Sequence, residues 1–105
     1  MLKQPTVRFV IALSPDDRQP VGIIAIAVYG SISGRKAWVE DLVVDEDQRG
    51  RRIGATLLDA AVQHAKDSGC DSVNLTSRPA REAANHLYVS FGFQKRETNT
   101  YEMKL

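Results

Sequence analysis

The chain has 105 residues, of which 43% are hydrophobic and 26% are charged, and its formal net charge is +1. This length suits one domain, residues 1–105, that buries about two thirds of its unfolded surface. The near-neutral charge argues against nucleic acid as the main partner, because nucleic-acid-binding domains of this size are usually basic. No apolar run is long enough to span a membrane. The single cysteine excludes an internal disulfide and a cysteine-based metal site, so we expect a cytoplasmic protein with no metal.

Three strands are predicted in the first part of the chain. The runs Val7–Ser14, Val21–Ile32 and Trp38–Val44 are rich in β-branched and apolar residues. A segment containing Pro15 and two aspartates separates the first two runs, and a glycine suited to a hairpin turn separates the second and third. The simplest topology is an antiparallel meander, which leaves Val7–Ser14 at an exposed edge of the sheet.

A helix and a fourth strand follow. The helix is amphipathic, runs from about Arg52 to Ser68 and ends at Gly69, which suits the C′ position. The fourth strand, Asp71–Ser77, alternates apolar and polar residues. Because it follows a strand and a helix, we expect it to lie parallel to Trp38–Val44 through a right-handed crossover.

A second helix is predicted to begin near Pro79 and to end at Gly92. Its apolar residues recur at helical spacing, at Ala84, Leu87, Tyr88 and Phe91. The remaining residues read as a strand, a polar turn at Thr98–Asn99 and a final strand. The predicted order is β-β-β-α-β-α-β-β, an α+β domain with a mixed sheet.

The turn between the third strand and the first helix is the candidate binding site. Gly50 and Gly54 lie where the helix begins, beside three arginines. A helix N-terminus presents unpaired backbone N–H groups and a partial positive charge, which bind phosphates. The segment matches neither the P-loop nor the dinucleotide-binding glycine pattern. We therefore predict a site for another kind of phosphate-bearing ligand.

Two motifs resemble those of the GNAT family of N-acetyltransferases. Arg49–Gly54 fits the family's [QR]-x-x-G-x-[GA] pattern, except that Arg52 replaces the middle glycine. Ala84–Phe93 fits A-x-x-L-Y-x-x-x-G-F, about thirty residues later. The resemblance covers Val21–Leu105. It implies the GNAT fold in an N-terminally short form, because the strand and two helices that usually precede the meander have no counterpart here.

The resemblance implies transfer of an acetyl group from acetyl-CoA to a primary amine by direct attack in a ternary complex. The strand and the turn would hold the cofactor arm and its pyrophosphate, and one strand amide, of Val43 or Val44, would face the thioester oxygen. The implied cofactor-binding residues are Leu42, Val43, Val44, Arg49, Gly50, Arg51, Arg52, Ile53, Gly54, Ala55 and Asn85.

Two catalytic side chains follow from the resemblance. Tyr88 is the candidate general acid for the departing thiolate, although it also lies on the apolar stripe and could serve packing alone. Glu40 is the candidate general base for the incoming ammonium, with Asp41 as runner-up and a surface carboxylate as the alternative. Strand alternation predicts that Glu40 shares a face with Leu42 and Val44. Cys70 is expected to be buried and inert.

Other readings stay open. The chain could be a non-catalytic module that binds acyl-CoA or serves assembly, with an incomplete acceptor site. The exposed edge strand and the missing helices predict a homodimer. The acceptor could be a small-molecule amine or a protein amine.

Overall fold

The computed structural model describes residues 6–32, 34–48 and 52–105. Its elements are β1 (Thr6–Leu13), β2 (Pro20–Ser31), β3 (Gly34–Val44), a short 3-10 turn (Glu46–Gln48), α1 (Ile53–Asp67), β4 (Ser72–Asn74) and α2 (Glu82–Phe91). The strands form one sheet in the order β1-β2-β3-β4. β1, β2 and β3 are antiparallel neighbours, and β4 lies parallel to β3. The predicted α+β class, the meander and the parallel return after α1 are confirmed.

The core lies between the sheet and α1. Ile24 and Ile26 of β2 and Leu58 of α1 are the largest side chains with no exposed surface. The apolar side of α1 also buries Leu57, Ala61 and Ala65. Burial of a large aliphatic side chain contributes about 1.5–3 kcal/mol, so this layer supplies most of the hydrophobic stabilisation.

The C-terminus of α1 has the geometry that the glycine predicted. Gly69 follows the last turn with a φ of 78°, a left-handed conformation that glycine adopts without steric cost. Its N–H donates to the Lys66 carbonyl oxygen and the Cys70 N–H donates to that of Ala65, both at 3.0 Å. These two bonds form a Schellman motif, so the helix ends where its sequence indicated.

A bulge interrupts β3 at Glu40. Ala25 of β2 faces Asp41, whereas the next residue, Ile26, faces Val39. Glu40 is therefore an extra residue without a partner on β2. An extra residue bends the strand and increases its local twist, and here it lies where β3 leaves β4.

The two C-terminal strands predicted after Gly92 are wrong. Residues 93–105 form no strand, and from Gln94 onward every residue is exposed. Tyr101 and Met103 alternate as strand residues do, but they are 90% and 83% exposed. The radius of gyration is 14.9 Å, against about 13 Å for a compact domain of this length. Alternation favours a strand, but a strand also needs a free partner, which this segment does not reach.

One face of β1 is uncovered. Val10 and Ala12 pack against the core, whereas the alternate residues Val7, Phe9 and Ile11 are more than half exposed. The apolar row continues at Leu13 and at Val43 of β3, which are 45% and 57% exposed. Among the described residues, no helix combines the length and the apolar character needed to cross a bilayer.

Candidate functional site

The candidate site is the cleft where β3 and β4 separate. Only Lys36–Trp38 of β3 pair with β4. From Val39 onward, β3 has no strand partner on that side among the described residues. A cavity of about 190 Å³ occupies the opening, and its walls are Val39, Glu40, Asp41, Leu42, Val43, Val44, Leu75, Thr76, Arg81 and Tyr88.

The register of β2 and β3 determines which backbone groups point into the cleft. The Asp45 N–H donates to the Val21 carbonyl oxygen at 2.9 Å. Two residues earlier on β3, Val43 lies opposite Ile23 of β2. Antiparallel pairs alternate between bonded and non-bonded, so the Val43 N–H is also directed at β2. The N–H and C=O groups of Leu42 and Val44 are directed away from β2, into the cleft. They form a short free strand edge that an extended ligand can pair with.

The bulge changes the face on which Glu40 lies. Strict alternation predicted that Glu40 shares a face with Leu42 and Val44, and this is wrong. Val39, which is 8% exposed, belongs to the core together with partly buried Leu42 and Val44. The extra residue resets the alternation. Glu40 and Asp41 are both exposed. Both residues nevertheless line the cavity.

Tyr88 lies at the inner wall of the cavity. The residue is 7% exposed, and its ring meets the Phe93 ring edge-on with a centroid distance of 6.1 Å. Its hydroxyl has no hydrogen-bond partner among the described residues, but it is not among their buried unpaired atoms. The ring is thus fixed by packing while the hydroxyl remains open to the cavity.

The N-terminus of α1 leaves backbone donors free. Arg49, Gly50 and Arg51, three of the predicted cofactor residues, lie outside the described residues. The first bond of the helix runs from the Thr56 N–H to the Arg52 carbonyl oxygen at 3.0 Å, and no side chain caps the helix. The N–H groups of Ile53, Gly54 and Ala55 therefore have no helical partner. The sequence predicted an anion-binding site at this helix end, and that role stays a prediction.

The structure does not require a glycine at Gly54, whereas the backbone conformation at Arg52 is one that favours glycine. A Cβ on Gly54 would meet Leu87 Cδ2 at 3.6 Å and Val44 Cγ2 at 3.8 Å, which are ordinary contacts. Packing within the chain therefore does not require a glycine there. Arg52 has a φ of 60° and a ψ of 26°, the left-handed region that disfavours side chains. The glycine that the family motif carries at this position has a conformational explanation.

Asn85 is already engaged by the chain. Its Nδ2 donates to the Arg78 carbonyl oxygen at 2.9 Å, and a longer contact of 3.5 Å reaches that of Pro79. This amide holds the turn that precedes α2. Asn85 does not line the cavity, so the structure does not bring it together with Tyr88 and the β3 edge.

Sequence analysis did not identify two polar residues of the cavity wall, Thr76 and Arg81. Thr76 lies just beyond the carboxyl end of β4, and ligands collect at the carboxyl ends of parallel strands. Arg81 is the N-cap residue of α2. Its guanidinium has no ion-pair partner among the described residues. Both residues follow a strand that was predicted to be parallel, and this position could have identified them from the sequence.

Cys70 is a free cysteine that is only partly buried. Burial raises the pKa of the Cys70 thiol, and nearby Arg35 only partly offsets this. A thiol with a raised pKa is mostly protonated near neutral pH and reacts slowly. Among the described residues, no group of three potential ligands could hold a metal ion.

Comparisons with known proteins point to one family. A family model described as the acetyltransferase (GNAT) family matches residues 2–93. An uncharacterized N-acetyltransferase of Methanocaldococcus jannaschii is 33% identical over 82 residues, which cover 75% of this chain and 36% of that protein. The thialysine N-epsilon-acetyltransferase of Bos taurus is 30% identical over 66 residues, or 63% of this chain and 39% of that enzyme. The chain thus spans less than half the length of these curated relatives.

Solved structures share the fold. A putative acetyltransferase from Agrobacterium tumefaciens superposes with a TM-score of 0.84 at 24% identity, over 96% of this chain and 71% of that one. At this identity the likeness is evidence for the fold alone. The cleft between β3 and β4 and the free N-terminus of α1 therefore lie on an acetyltransferase scaffold.

Proposed function

Because the chain belongs to the GNAT acetyltransferase family, we propose that it transfers an acetyl group from acetyl-CoA to a primary amine by direct attack in a ternary complex. The observation that carries this proposal is the β3 edge, where Leu42 and Val44 direct their backbone groups into a cavity that Tyr88 also lines. A free strand edge, an anion-binding helix end and a positioned hydroxyl are what an extended, phosphate-bearing thioester requires.

Two parts of the chain would bind acetyl-CoA. The free N–H groups of Ile53, Gly54 and Ala55 suit its pyrophosphate, with the charges of Arg49, Arg51 and Arg52 close by in the sequence. The amide-bearing arm would then pair with the β3 edge, starting at Val44 next to the helix end. Gly50 and Gly54 have no side chains, so the ligand can approach the backbone closely there.

The reactive end of the arm would lie near Leu42. Moving along β3 away from α1, Leu42 follows Val44 and precedes the bulge at Glu40. Of the two amides considered from sequence, that of Val43 is directed at β2, and the Leu42 amide is one step nearer the carboxylates. We assign Val44 to binding of the arm and the Leu42 N–H to the negative charge that develops on the thioester oxygen.

Tyr88 and Glu40 would handle the protons. The Tyr88 hydroxyl donates its proton to the thiolate as the thioester bond breaks, and Glu40 accepts the proton that the ammonium must lose before it attacks. Asp41, the neighbouring carboxylate on the cavity wall, is the alternative base. Positioned proton transfer contributes about 10²–10⁴-fold to rate.

Two measurements test the function. Calorimetry should detect binding of acetyl-CoA, and a thiol-release screen over primary amines should detect turnover. The protonated Cys70 thiol should add little background to the screen. Binding without release of thiol from any amine would favour the alternative, a non-catalytic acyl-CoA-binding or assembly module. No binding at millimolar acetyl-CoA would contradict both.

We further propose a cytoplasmic homodimer. A free, half-buried thiol such as Cys70 suits a reducing compartment. The apolar row on β1 borders a strand edge with no partner among the described residues, and a second copy would cover both. A stable interface buries about 800 Å² per partner.

A further inference from the structure

The cleft carries charges of both signs that are not paired with each other. Glu40 and Asp41 line it from β3, and Arg81 lines it from the start of α2. Within the described residues, none of these three side chains forms an ion pair. Charged groups that face a common cavity without internal partners are available to a ligand with complementary charges.

Arg81 is held at the cavity wall by its backbone. Its N–H donates to the Arg78 carbonyl oxygen at 3.0 Å, and its own carbonyl oxygen accepts from the Asn85 N–H at 2.9 Å. The Asn85 side chain secures the same turn through Arg78. The backbone of Arg81 is therefore fixed, and the residue lines the same cavity as Tyr88 and the two carboxylates.

The cavity is small. Its volume of about 190 Å³ is below the ~300–1,000 Å³ of sites for drug-sized ligands. A volume of this size suits a small molecule or one end of a larger one.

We propose that the acceptor is a small amine that also carries a carboxylate, as an amino acid with a side-chain amine does, and that Arg81 determines this specificity. The inference rests on the proposed acetyl transfer. The ammonium group would face Glu40 and Asp41, while the planar guanidinium of Arg81 binds the carboxylate through two parallel N–H···O bonds. These two contacts together would hold the amine in the cleft, in the cavity that Leu42 and Tyr88 also line.

Pairs of acceptors that differ in one carboxylate test the inference. L-lysine and cadaverine form one pair, and L-ornithine and putrescine form another. The wild type should have a higher kcat/KM for the amino acid of each pair. Arg81→Gln should lower kcat/KM for the amino acids by about 10- to 100-fold, the worth of a charge-assisted hydrogen bond. It should leave kcat/KM for the diamines within about twofold.

Arg78→Gln is the matched control, because Arg78 is a nearby exposed arginine that does not line the cavity. Arg78→Gln should leave kcat/KM unchanged for both acceptors of each pair. Thermal melting of both variants should match the wild type, since Arg81 is exposed.

Three outcomes would overturn the inference while leaving the proposed function intact. The first is turnover of amines without preference for the carboxylate. The second is an equal effect of Arg81→Gln on both members of a pair. The third is a loss of acetyl-CoA affinity in Arg81→Gln by calorimetry, which would assign the guanidinium to the cofactor's phosphates. Absence of turnover with every amine would instead remove the proposed function, and the inference with it.

Discussion

Tyr88 combines a packing role with a free hydroxyl. A substitution that removes only the hydroxyl oxygen separates the two roles. Tyr88→Phe keeps the ring that packs against Phe93 and removes only the proton donor. We expect kcat to fall by about 10²–10⁴-fold, with acetyl-CoA affinity within about twofold of the wild type. Steady-state kinetics and calorimetry measure the two effects.

The control for this substitution is Tyr101→Phe, because Tyr101 is 90% exposed and remote from the cavity walls. It should leave turnover unchanged. Unchanged turnover in Tyr88→Phe as well would remove Tyr88 from the mechanism and leave it a packing residue.

Gly54 provides a second test at this scale. An added methyl group would meet only ordinary contacts with Leu87 and Val44, and alanine is the better helix former by about 1 kcal/mol. Gly54→Ala should therefore fold at least as stably as the wild type. Its acetyl-CoA affinity should stay within about threefold of the wild type, because the family motif accepts alanine as well as glycine at this position.

Thermal melting and calorimetry on the same sample separate these two effects of Gly54→Ala. A loss of cofactor affinity of about tenfold or more in the variant would mean that the ligand needs a bare backbone at Gly54, against the motif. A large loss of stability would mean that the glycine serves packing after all.

The start of α1 shows how one element can carry a local cost. Arg52 adopts a φ of 60° at the N-cap, and a left-handed conformation costs a side-chain-bearing residue about 1–2 kcal/mol. Arg52→Gly removes that cost but gives the unfolded chain more freedom. We expect a net gain of about 0.5–1 kcal/mol in the free energy of unfolding, measured by urea denaturation.

Arg18 is the comparison for Arg52, since it has the same φ of 60° in a loop away from the cleft. Arg18→Gly should stabilise the chain to a similar degree without affecting cofactor binding. A loss of stability in Arg52→Gly would show that the Arg52 side chain makes a compensating interaction.

At the scale of the whole molecule, the uncovered face of β1 predicts association. Phe9 is 63% exposed in the middle of an apolar row. If a second copy covers this row, Phe9→Lys places a charge in the interface and should convert a dimer into a monomer. Light scattering at low micromolar concentration measures this.

Val89→Lys is the control for association, because Val89 is equally apolar and 64% exposed but lies on α2. That variant should remain a dimer. A monomeric wild type at the same concentration would refute the proposed homodimer.

Much of the fold was predictable because its signals are local. The glycine at position 69 and the apolar period before it predicted the end of α1, and the structure has that end. β4 was predicted as Asp71–Ser77 but spans only Ser72–Asn74, since its length depends on how far β3 stays beside it. The prediction of two strands after Gly92 was wrong for the same reason. Whether a segment pairs as a strand depends on its neighbours in the sheet and not on its own residues alone.

The sequence by itself determined the order of the strands and helices that form the sheet, the family motifs and the place of the helix N-terminus at the candidate site. Each depends on residues that are neighbours along the chain. Only the tertiary structure decided that Glu40 is an unpaired bulge residue, that Leu42 and Val44 direct their backbones into the cleft, and that Arg81 lines the same cavity as the two carboxylates. These properties depend on the register between strands and on the packing of α2, where residues distant in sequence meet.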